Sequence, residues 1–175
     1  MALDQNIIPE KIVNFNVYTK GDKHIGMGEE MELPSIKMKS STLAGAGIGG
    51  EIDSPTMGQL ESMEQELKYN ALYSTATTLM KPNEEVEITL RGAQQVRTRS
   101  GGFSYKSMRV VMRGMVKEVN LGTVKKGEPT GTSVKLELHA IKVEVDGVTV
   151  YDVDKLNEKF VVNGEDMMAP ILAMC

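Results

Sequence analysis

Residues 104–151 have the sequence SYKSMRVVMRGMVKEVNLGTVKKGEPTGTSVKLELHAIKVEVDGVTVY, and this stretch decides the fold. From Met108 the apolar side chains fall mainly on alternate positions as far as Val116, and the same period returns between Val134 and Ala140. Alternation with a period of two is typical of a strand with one buried and one solvent-facing side. The stretch therefore predicts long strands of a sheet, and it holds almost no side chains suited to catalysis.

The apolar positions change phase after Ala140 and continue on the odd-numbered residues from Ile141 to Val145. Because a shift of one residue turns every later side chain to the other face, we expect a β-bulge or a crossing between two sheets near Ala140. Asp146-Gly147 then separates two apolar triplets and predicts a two-residue hairpin, since both central positions need a positive φ. A chain with so much two-faced sheet is predicted to be a mainly β assembly protein.

The composition predicts one globular domain over residues 1–175, with 41% hydrophobic and 25% charged residues. The net charge of −4 argues against a general nucleic-acid-binding protein, which carries a basic face. The sequence contains neither an apolar run of membrane-spanning length nor a secretory signal at its start, so no membrane partner is expected. Cys175 is the one cysteine, which excludes an internal disulfide and favours a reducing cytoplasm.

Shorter strands are predicted on the N-terminal side of this region. Residues 11–20 alternate with Val13, Phe15 and Val17 on one face. Further strands are predicted over 63–69 and 85–91, with a weaker and more polar one over 24–33 that residues 36–39 extend.

One short helix and one long loop complete the predicted organisation. Apolar residues recur at helical spacing from Leu72 to Met80, between Asn70 as N-cap and Pro82 as the stop. Residues 42–58 contain five glycines and predict a glycine-rich loop. At about 17 residues this loop exceeds the usual length of a connection inside a compact domain, which favours a functional role.

The candidate catalytic and ligand-binding residues fail in their sequence context. Gly45–Gly50 matches GxGxxG, but polar residues precede it and Pro55 lies where a dinucleotide fold needs a helix. His24 and His139 lie in separate predicted strands without a second ligand at metal-binding spacing, and Cys175 has no neighbouring base. The sequence therefore predicts a protein that is not an enzyme and that holds no cofactor or metal.

A basic stripe lies along the predicted strands. Arg109, Arg113 and Lys117 share the odd-numbered face of the long strand, and Lys135 lies on the solvent-facing side of the next, close to Glu137. Such a stripe can contact phosphates. The nearby carboxylates favour either an ordinary charged sheet face or a face that meets an acidic neighbour.

The C-terminal half closely resembles the major tail tube proteins of contractile-tailed bacteriophages, and the N-terminal half resembles them more loosely. The resemblance is carried by VVMRGxxKE (110–118), KGE (126–128), VxxDG (143–147), DVD (152–154), the Asn163-Gly164 turn, Asn14, Leu33-Pro34 and Gly45-Ala46-Gly47. It spans nearly the whole chain, and its motifs are structural rather than catalytic.

The resemblance implies a β-sandwich-like or barrel-like subunit with one short flanking helix. Six copies would form a ring whose inner sheets join in a shared β-barrel, and stacked rings would form the hollow tube through which DNA is ejected. The implied partners are further copies of the chain, the tail sheath protein, the tape measure protein, the baseplate tube initiator, the tail terminator and, weakly, passing DNA. The implied location is the virion tail, assembled in the host cytoplasm, with both chain termini flexible before assembly.

The resemblance also suggests roles for particular residues. The 42–58 loop would order against the adjacent ring through its apolar residues Leu43, Ile48, Ile52 and Met57. Arg109, Arg113, Lys117, Lys135 and Glu137 would lie on an intersubunit or lumen face. The basic stripe fits an intersubunit face better, because a wall that conducts DNA should bind it weakly.

Two alternatives remain at this point. The same tube fold serves phage-tail-like bacteriocins and type VI secretion tubes, which carry no DNA. A monomeric β-barrel that binds a small ligand would need an interior pocket with aromatic and polar anchors, and three Phe, five Tyr and no Trp weigh against it.

Overall fold

A computed structural model of the protein describes residues 6–73, 77 and 79–175, and the regular secondary structure of these residues is almost entirely β. This part of the chain contains β1 (Ile7–Thr19), β2 (Asp22–Lys23), β3 (Met38–Leu43), β4 (Ile52–Leu60), β5 (Met63–Tyr69), β6 (Glu85–Thr98), β7 (Phe103–Asn120), β8 (Thr132–Val145), β9 (Val148–Asp154), β10 (Lys159–Val162), β11 (Glu165–Asp166) and the helix α1 (Ala169–Leu172). The prediction of a mainly β fold is confirmed.

Nine of these strands form one antiparallel sheet. Its order is β2-β1-β6-β7-β8-β9-β10-β11, and β5 is a side branch hydrogen-bonded to β8. Strands β3 and β4 form a separate two-stranded ribbon. The hairpin predicted between β8 and β9 is confirmed, with φ of 53° at Asp146 and 76° at Gly147. Asn163 and Gly164 likewise adopt positive φ in the turn between β10 and β11.

The sheet forks at strand β8. One edge of β8 pairs with β7, whereas the other edge pairs with β5 over residues 132–138 and with β9 from Ala140 onward. At the junction the register against β7 skips His139, which is the extra residue of a β-bulge. The bulge predicted near Ala140 is confirmed, and it marks the point where β8 changes partners.

Gly114 on β7 lies opposite this bulge. A Cβ atom built on Gly114 would overlap the backbone carbonyl oxygen of Glu137. The two strands therefore approach more closely here than any residue with a side chain permits.

Both branches of the sheet border one hydrophobic core. Before the bulge the even-numbered residues of β8 are buried, as in Leu136, and after it Ala140 and Ile141 are both buried, with Ile141 in the core cluster. Buried side chains from β1, β5, β6, β7, β8, β9 and β10 form one cluster, against which the partly buried Met27, Met31 and Ile36 pack. Burial of each such large apolar side chain contributes about 1.5–3 kcal/mol to the free energy of unfolding.

The loop predicted over 42–58 is wrong in its bounds. Residues 38–43 and 52–60 are the two strands of the β3–β4 ribbon, and only residues 44–51 form the connection. Both strands of a two-stranded ribbon are edge strands, so Pro55 is tolerated although it has no N–H to donate. Both faces are largely exposed, so the ribbon lacks the alternating apolar pattern of a half-buried strand.

The weak strand predicted over 24–33 is also wrong. Only Asp22 and Lys23 form β2, and the following segment crosses the end of β5 as irregular chain. Its backbone is bonded there by the amide of Gly28, which donates to the carbonyl of Lys68, and by the carbonyl of Gly26, which accepts from Asn70. The positive φ of Gly26 is incompatible with a continuous strand.

The helix predicted over 72–80 lies partly outside the described residues, because 74–76 and 78 are not among them. It stays a prediction, as does flexibility of the first five residues. At the other terminus, predicted to order only on assembly, the chain forms the one-turn helix α1 with Pro170 in its first turn. Proline is favoured there, since the first helical N–H groups have no partner within the helix.

Candidate assembly surfaces

The β3–β4 ribbon presents apolar side chains to solvent. Leu43 and Ile52 are direct cross-strand partners and are 50% and 52% exposed. Met57, farther along β4, is 40% exposed, and Ile48 in the connecting loop is half-buried. Of the four residues predicted as ring-stacking contacts, the structure thus brings Leu43 and Ile52 together. Exposed apolar patches of this kind are typical of interaction sites.

The base of the ribbon is fixed to the rest of the protein. The amide of Glu61 donates a hydrogen bond to the carbonyl of Lys37, 2.9 Å away. Gly58 has a φ of 73°, and any side chain there would overlap the thioether of Met168, which precedes α1. The C-terminal segment therefore packs closely against the ribbon base.

The predicted basic stripe lies on the face of β7 and β8 opposite the core, and each of its cations has a carboxylate partner in the same chain. The pairs are Arg109–Glu144 at 3.3 Å, Arg113–Asp154 at 2.9 Å, Lys117 with Glu64 and with Glu137 (3.6 Å), and Lys135–Glu118 at 3.2 Å. Lys117 is the extra residue of a second bulge, between β7 and β8. The stripe is therefore part of a face of mixed charge rather than a bare basic surface.

Asp154 at the end of β9 is the most buried carboxylate of this face. Its Oδ1 accepts hydrogen bonds from the backbone amides of Leu156 (3.0 Å) and Asn157 (3.2 Å). Its Oδ2 accepts from the side chains of Asn157 (2.8 Å) and Arg113 (2.9 Å). Burial alone would raise the pKa of Asp154, but the hydrogen bonds from Asn157 and Leu156, with the Arg113 charge, outweigh it and lower the pKa.

Asp154→Asn is expected to lower the free energy of unfolding at pH 7 by about 1–3 kcal/mol, because the amide cannot accept from Arg113 and Asn157 as the carboxylate does. Since the folded pKa is below the unfolded one, this stabilisation is present above about pH 4 and is lost as pH falls through the folded pKa. Urea unfolding at a series of pH values measures both effects. Asp152→Asn, which removes a partner of Lys159 at a less buried site, is the control with a loss below about 1 kcal/mol. A loss that is equal in both variants, or that persists at low pH, would contradict the assignment.

The two histidines do not form a ligand site. His24 is buried, with Nδ1 2.9 Å from the Tyr69 hydroxyl and Nε2 2.8 Å from the Thr19 hydroxyl, and burial lowers its pKa. His139 has Nε2 3.5 Å from a Glu85 carboxylate oxygen. Among the described residues, no three His, Cys, Asp or Glu side chains are grouped as metal ligands. The same residues include no helix of membrane-spanning length and hydropathy.

Two clefts lie on the surface of the described chain. The larger, about 760 Å³, lies between β5 and the segment after β2 and is lined mainly by glutamates and lysines, with Met27, Met31 and Leu33. The second, about 670 Å³, lies between β1 and residues 23–29. Neither is the enclosed pocket with aromatic and polar anchors that a ligand-binding barrel needs.

One exposed apolar surface, on β1, was not predicted from the sequence. Val13 was predicted to lie with Phe15 and Val17 on one face of the strand, but Val13 is exposed, as are Ile8 and Ile12. The register with β6 skips Glu10 and Val13, so β1 contains two bulges. The adjacent apolar pairs Ile7-Ile8 and Ile12-Val13 break the alternation and were the available signal.

These features together define a class of protein: a mainly β subunit whose prominent surfaces are exposed apolar strands and a face of paired charges. The chain belongs to the phage tail tube protein FII family, whose sequence model matches residues 9–173. The resemblance found in the sequence is therefore confirmed, and the protein is a structural protein of the phage tail tube.

Individual relatives agree with this assignment. The chain is 27% identical over 169 residues to the tail tube protein of Escherichia phage P2, which covers 92% of this chain and 94% of that one. It is 25% identical over 166 residues to the major tail tube protein of Serratia phage KSP20, with 91% of each chain covered. The fold is similar to that of the sheath/tube terminator of the extracellular contractile injection system PVC, with a TM-score of 0.54, 13% identity and coverage of 78% of this chain and 97% of that one.

Proposed function

We propose that the protein assembles as stacked hexameric rings into the hollow inner tube of a contractile tail, and that the bore conducts DNA during ejection. Its membership of the tail tube family supports this proposal. In this role the chain is not an enzyme. Its partners are other copies of itself, the sheath, the tape measure protein, the baseplate initiator and the terminator, and it resides in the virion tail after assembly in the host cytoplasm.

The β3–β4 ribbon is the observation that carries the stacking part of the proposal. The ribbon is hydrogen-bonded to no strand of the main sheet among the described residues, and it exposes Leu43, Ile52 and Met57. A separate ribbon of this kind reaches beyond its own subunit at little cost to the core. We infer that it packs against the adjacent ring, where these side chains become buried.

The face of mixed charge is compatible with a DNA-conducting bore. Bare basic residues would retain DNA by releasing its counterions. Arg109, Arg113 and Lys117 instead have carboxylates of their own chain within 4 Å. The reason for excluding this face from the bore no longer applies, so it fits either a lumen or an intersubunit position.

A second candidate keeps the tube and removes the DNA. The fold similarity to the terminator of a contractile injection system favours considering it. In a DNA-free particle the same rings would enclose another cargo or none. The DNA content of purified particles, measured after nuclease treatment of their exterior, separates the two functions.

Negative-stain electron microscopy with light scattering tests the proposal. We expect rings or tubes with an open bore, and ring masses of six times the chain mass of 19.2 kDa. The same measurements are repeated with baseplate initiator added, to examine whether tubes grow from it. A protein that remains monomeric at high concentration, with the initiator present, would contradict the proposed function.

A further inference from the structure

We propose that neighbouring copies in a ring join edge to edge, with β2 of one copy beside β11 of the next and Lys23 paired with Asp166. This inference rests on the proposed function, because it names the contact that closes the ring. It is carried by the register of the sheet, the unpaired charges at its two ends and the open edge of β1.

One transverse row of the sheet begins at Lys23 and ends at Asp166. The paired residues along it are Lys23, Tyr18, Thr89, Val111, Lys142, Asp152, Val161 and Asp166. Directly paired residues of adjacent strands point to the same face of a sheet. Lys23 and Asp166 therefore lie in one row and on the same face of the sheet, on the first and last strands of its order.

Contact between two different edges is a heterologous contact, and such contacts form closed rings when the rotation between copies closes. Because Lys23 and Asp166 share a row, the contact needs no displacement along the strands. A contact of β2 with β2 of another copy would instead give an isolated dimer. The row therefore fits a ring and not a pair.

The two ends carry opposite unpaired charges. Lys11, Lys20 and Lys23 form no ion pair with any residue in the described part of the chain. The acidic residues near them are Asp22, Glu29 and Glu10, the last of which is paired with Arg97. The other end has Glu158, Glu165 and Asp166, likewise without a cationic partner in the region described. Complementary charges of this kind orient association and suppress wrong contacts.

The carboxylate of Asp166 is already held in position. Its Oδ1 accepts a hydrogen bond from the backbone amide of Met168, 2.9 Å away. This bond leaves the second oxygen for a lysine of the neighbouring copy.

The basic end also has open backbone and exposed apolar side chains. Within the described chain, the outer edge of β1 has no hydrogen-bonded strand from Ile7 to Asn16, since β2 pairs only with Tyr18 and Thr19. Ile25, just beyond β2, is 70% exposed. A long apolar edge is a template for another strand. The two bulges of β1 disturb regular pairing along the part of its edge that is distant from β2. The part of the edge near β2 therefore remains for an ordered contact.

Cysteine cross-linking tests the contact. Lys23→Cys and Asp166→Cys are combined in a Cys175→Ser background, assembled and oxidised. On non-reducing gels we expect a ladder of covalent oligomers up to six chains. A disulfide within one chain would leave the chain at monomer mass, so a ladder reports bonds between copies. Each single-cysteine variant is the control and is expected to give no covalent dimer.

The outcomes separate this inference from the proposed function. Rings that form without a ladder would overturn the edge contact and leave the tube function standing. A covalent dimer in either single-cysteine control would overturn it too, because like edges would then be in contact. A protein that forms no rings under any condition would overturn both.

Charge reversal gives a second, independent test. Lys23→Glu is expected to raise the protein concentration needed for assembly by at least about tenfold, because it faces Asp166 with a like charge. Adding Asp166→Lys should restore assembly, while Lys126→Glu, at another lysine without an ion pair in the described chain, should leave it unchanged. Thermal unfolding of each variant separates loss of assembly from loss of fold. A double variant that assembles no better than Lys23→Glu would overturn the pairing.

Discussion

Gly114→Ala is expected to lower the free energy of unfolding by about 3 kcal/mol, at the upper end of the range for overpacked sites. The added Cβ overlaps the carbonyl oxygen of Glu137 and lies 3.0 Å from the Cα of Leu138. Both are backbone atoms of β8 beside the bulge, so no side-chain rotation relieves the contact. The strands must separate at the fork, where hydrogen bonds to two further strands depend on the position of β8.

Gly92→Ala is the matched control, since it adds the same methyl group to a neighbouring strand of the same sheet. The nearest atom to a Cβ there is the terminal methyl of Met108 at 3.1 Å, and a methionine side chain moves easily. We expect a loss below about 1 kcal/mol. Urea unfolding monitored by circular dichroism measures both variants. Equal losses would show that the close approach at Gly114 has no special weight.

Leu43→Ser combined with Ile52→Ser is expected to leave the rings intact and abolish tubes. These cross-strand partners form the exposed apolar pair of the β3–β4 ribbon. Burial of each side chain against the next ring would be worth about 1.5–3 kcal/mol, and in the proposed hexameric ring the loss would be repeated six times. Electron microscopy counts rings against tubes, and thermal unfolding should show a stability change within about 0.5 kcal/mol, because both side chains are at the surface.

Val124→Ser is the matched control for this prediction. Val124 is an apolar residue that is 94% exposed, on the connection between β7 and β8. The Val124→Ser variant should form tubes of normal length. A further variant replaces residues 44–51 with Asn-Gly, which closes a two-residue hairpin between Leu43 and Ile52. Normal tubes from the serine variant would remove the ribbon from the stacking contact, and normal tubes from the shortened hairpin would remove the loop.

The strands that border the core could be predicted from the sequence because their signal is local. In β5 and in the middle of β7, one face is buried and the other faces solvent, so buried, mainly apolar residues occupy alternate positions of the sequence. The change of phase at Ala140 predicted the bulge for the same reason. The change of partner from β5 to β9 at this bulge depends on strand pairing, which alternation does not specify.

The candidate surfaces were harder to predict because they depend on register or lack a buried face. One partner of Lys117 is Glu64, 53 residues away in sequence, and only the order of strands brings them together. The ribbon strands have two exposed faces, so their residues follow no burial period. In β1 two bulges shift the phase twice within a few residues, which hides the exposed position of Val13.

The bulges at Glu10 and Val13 also bear on how the tube begins to grow. A straight apolar edge would let any two free subunits pair their strands during synthesis, and the resulting fibres would compete with tubes. An edge with two irregularities disfavours the first contact between two free subunits, whereas a preformed ring of the proposed six subunits would offer the same contact six times at once. We therefore expect spontaneous polymerisation to show a long lag that added seeds abolish. Tube growth would then begin at a preformed template, even where free subunits are abundant.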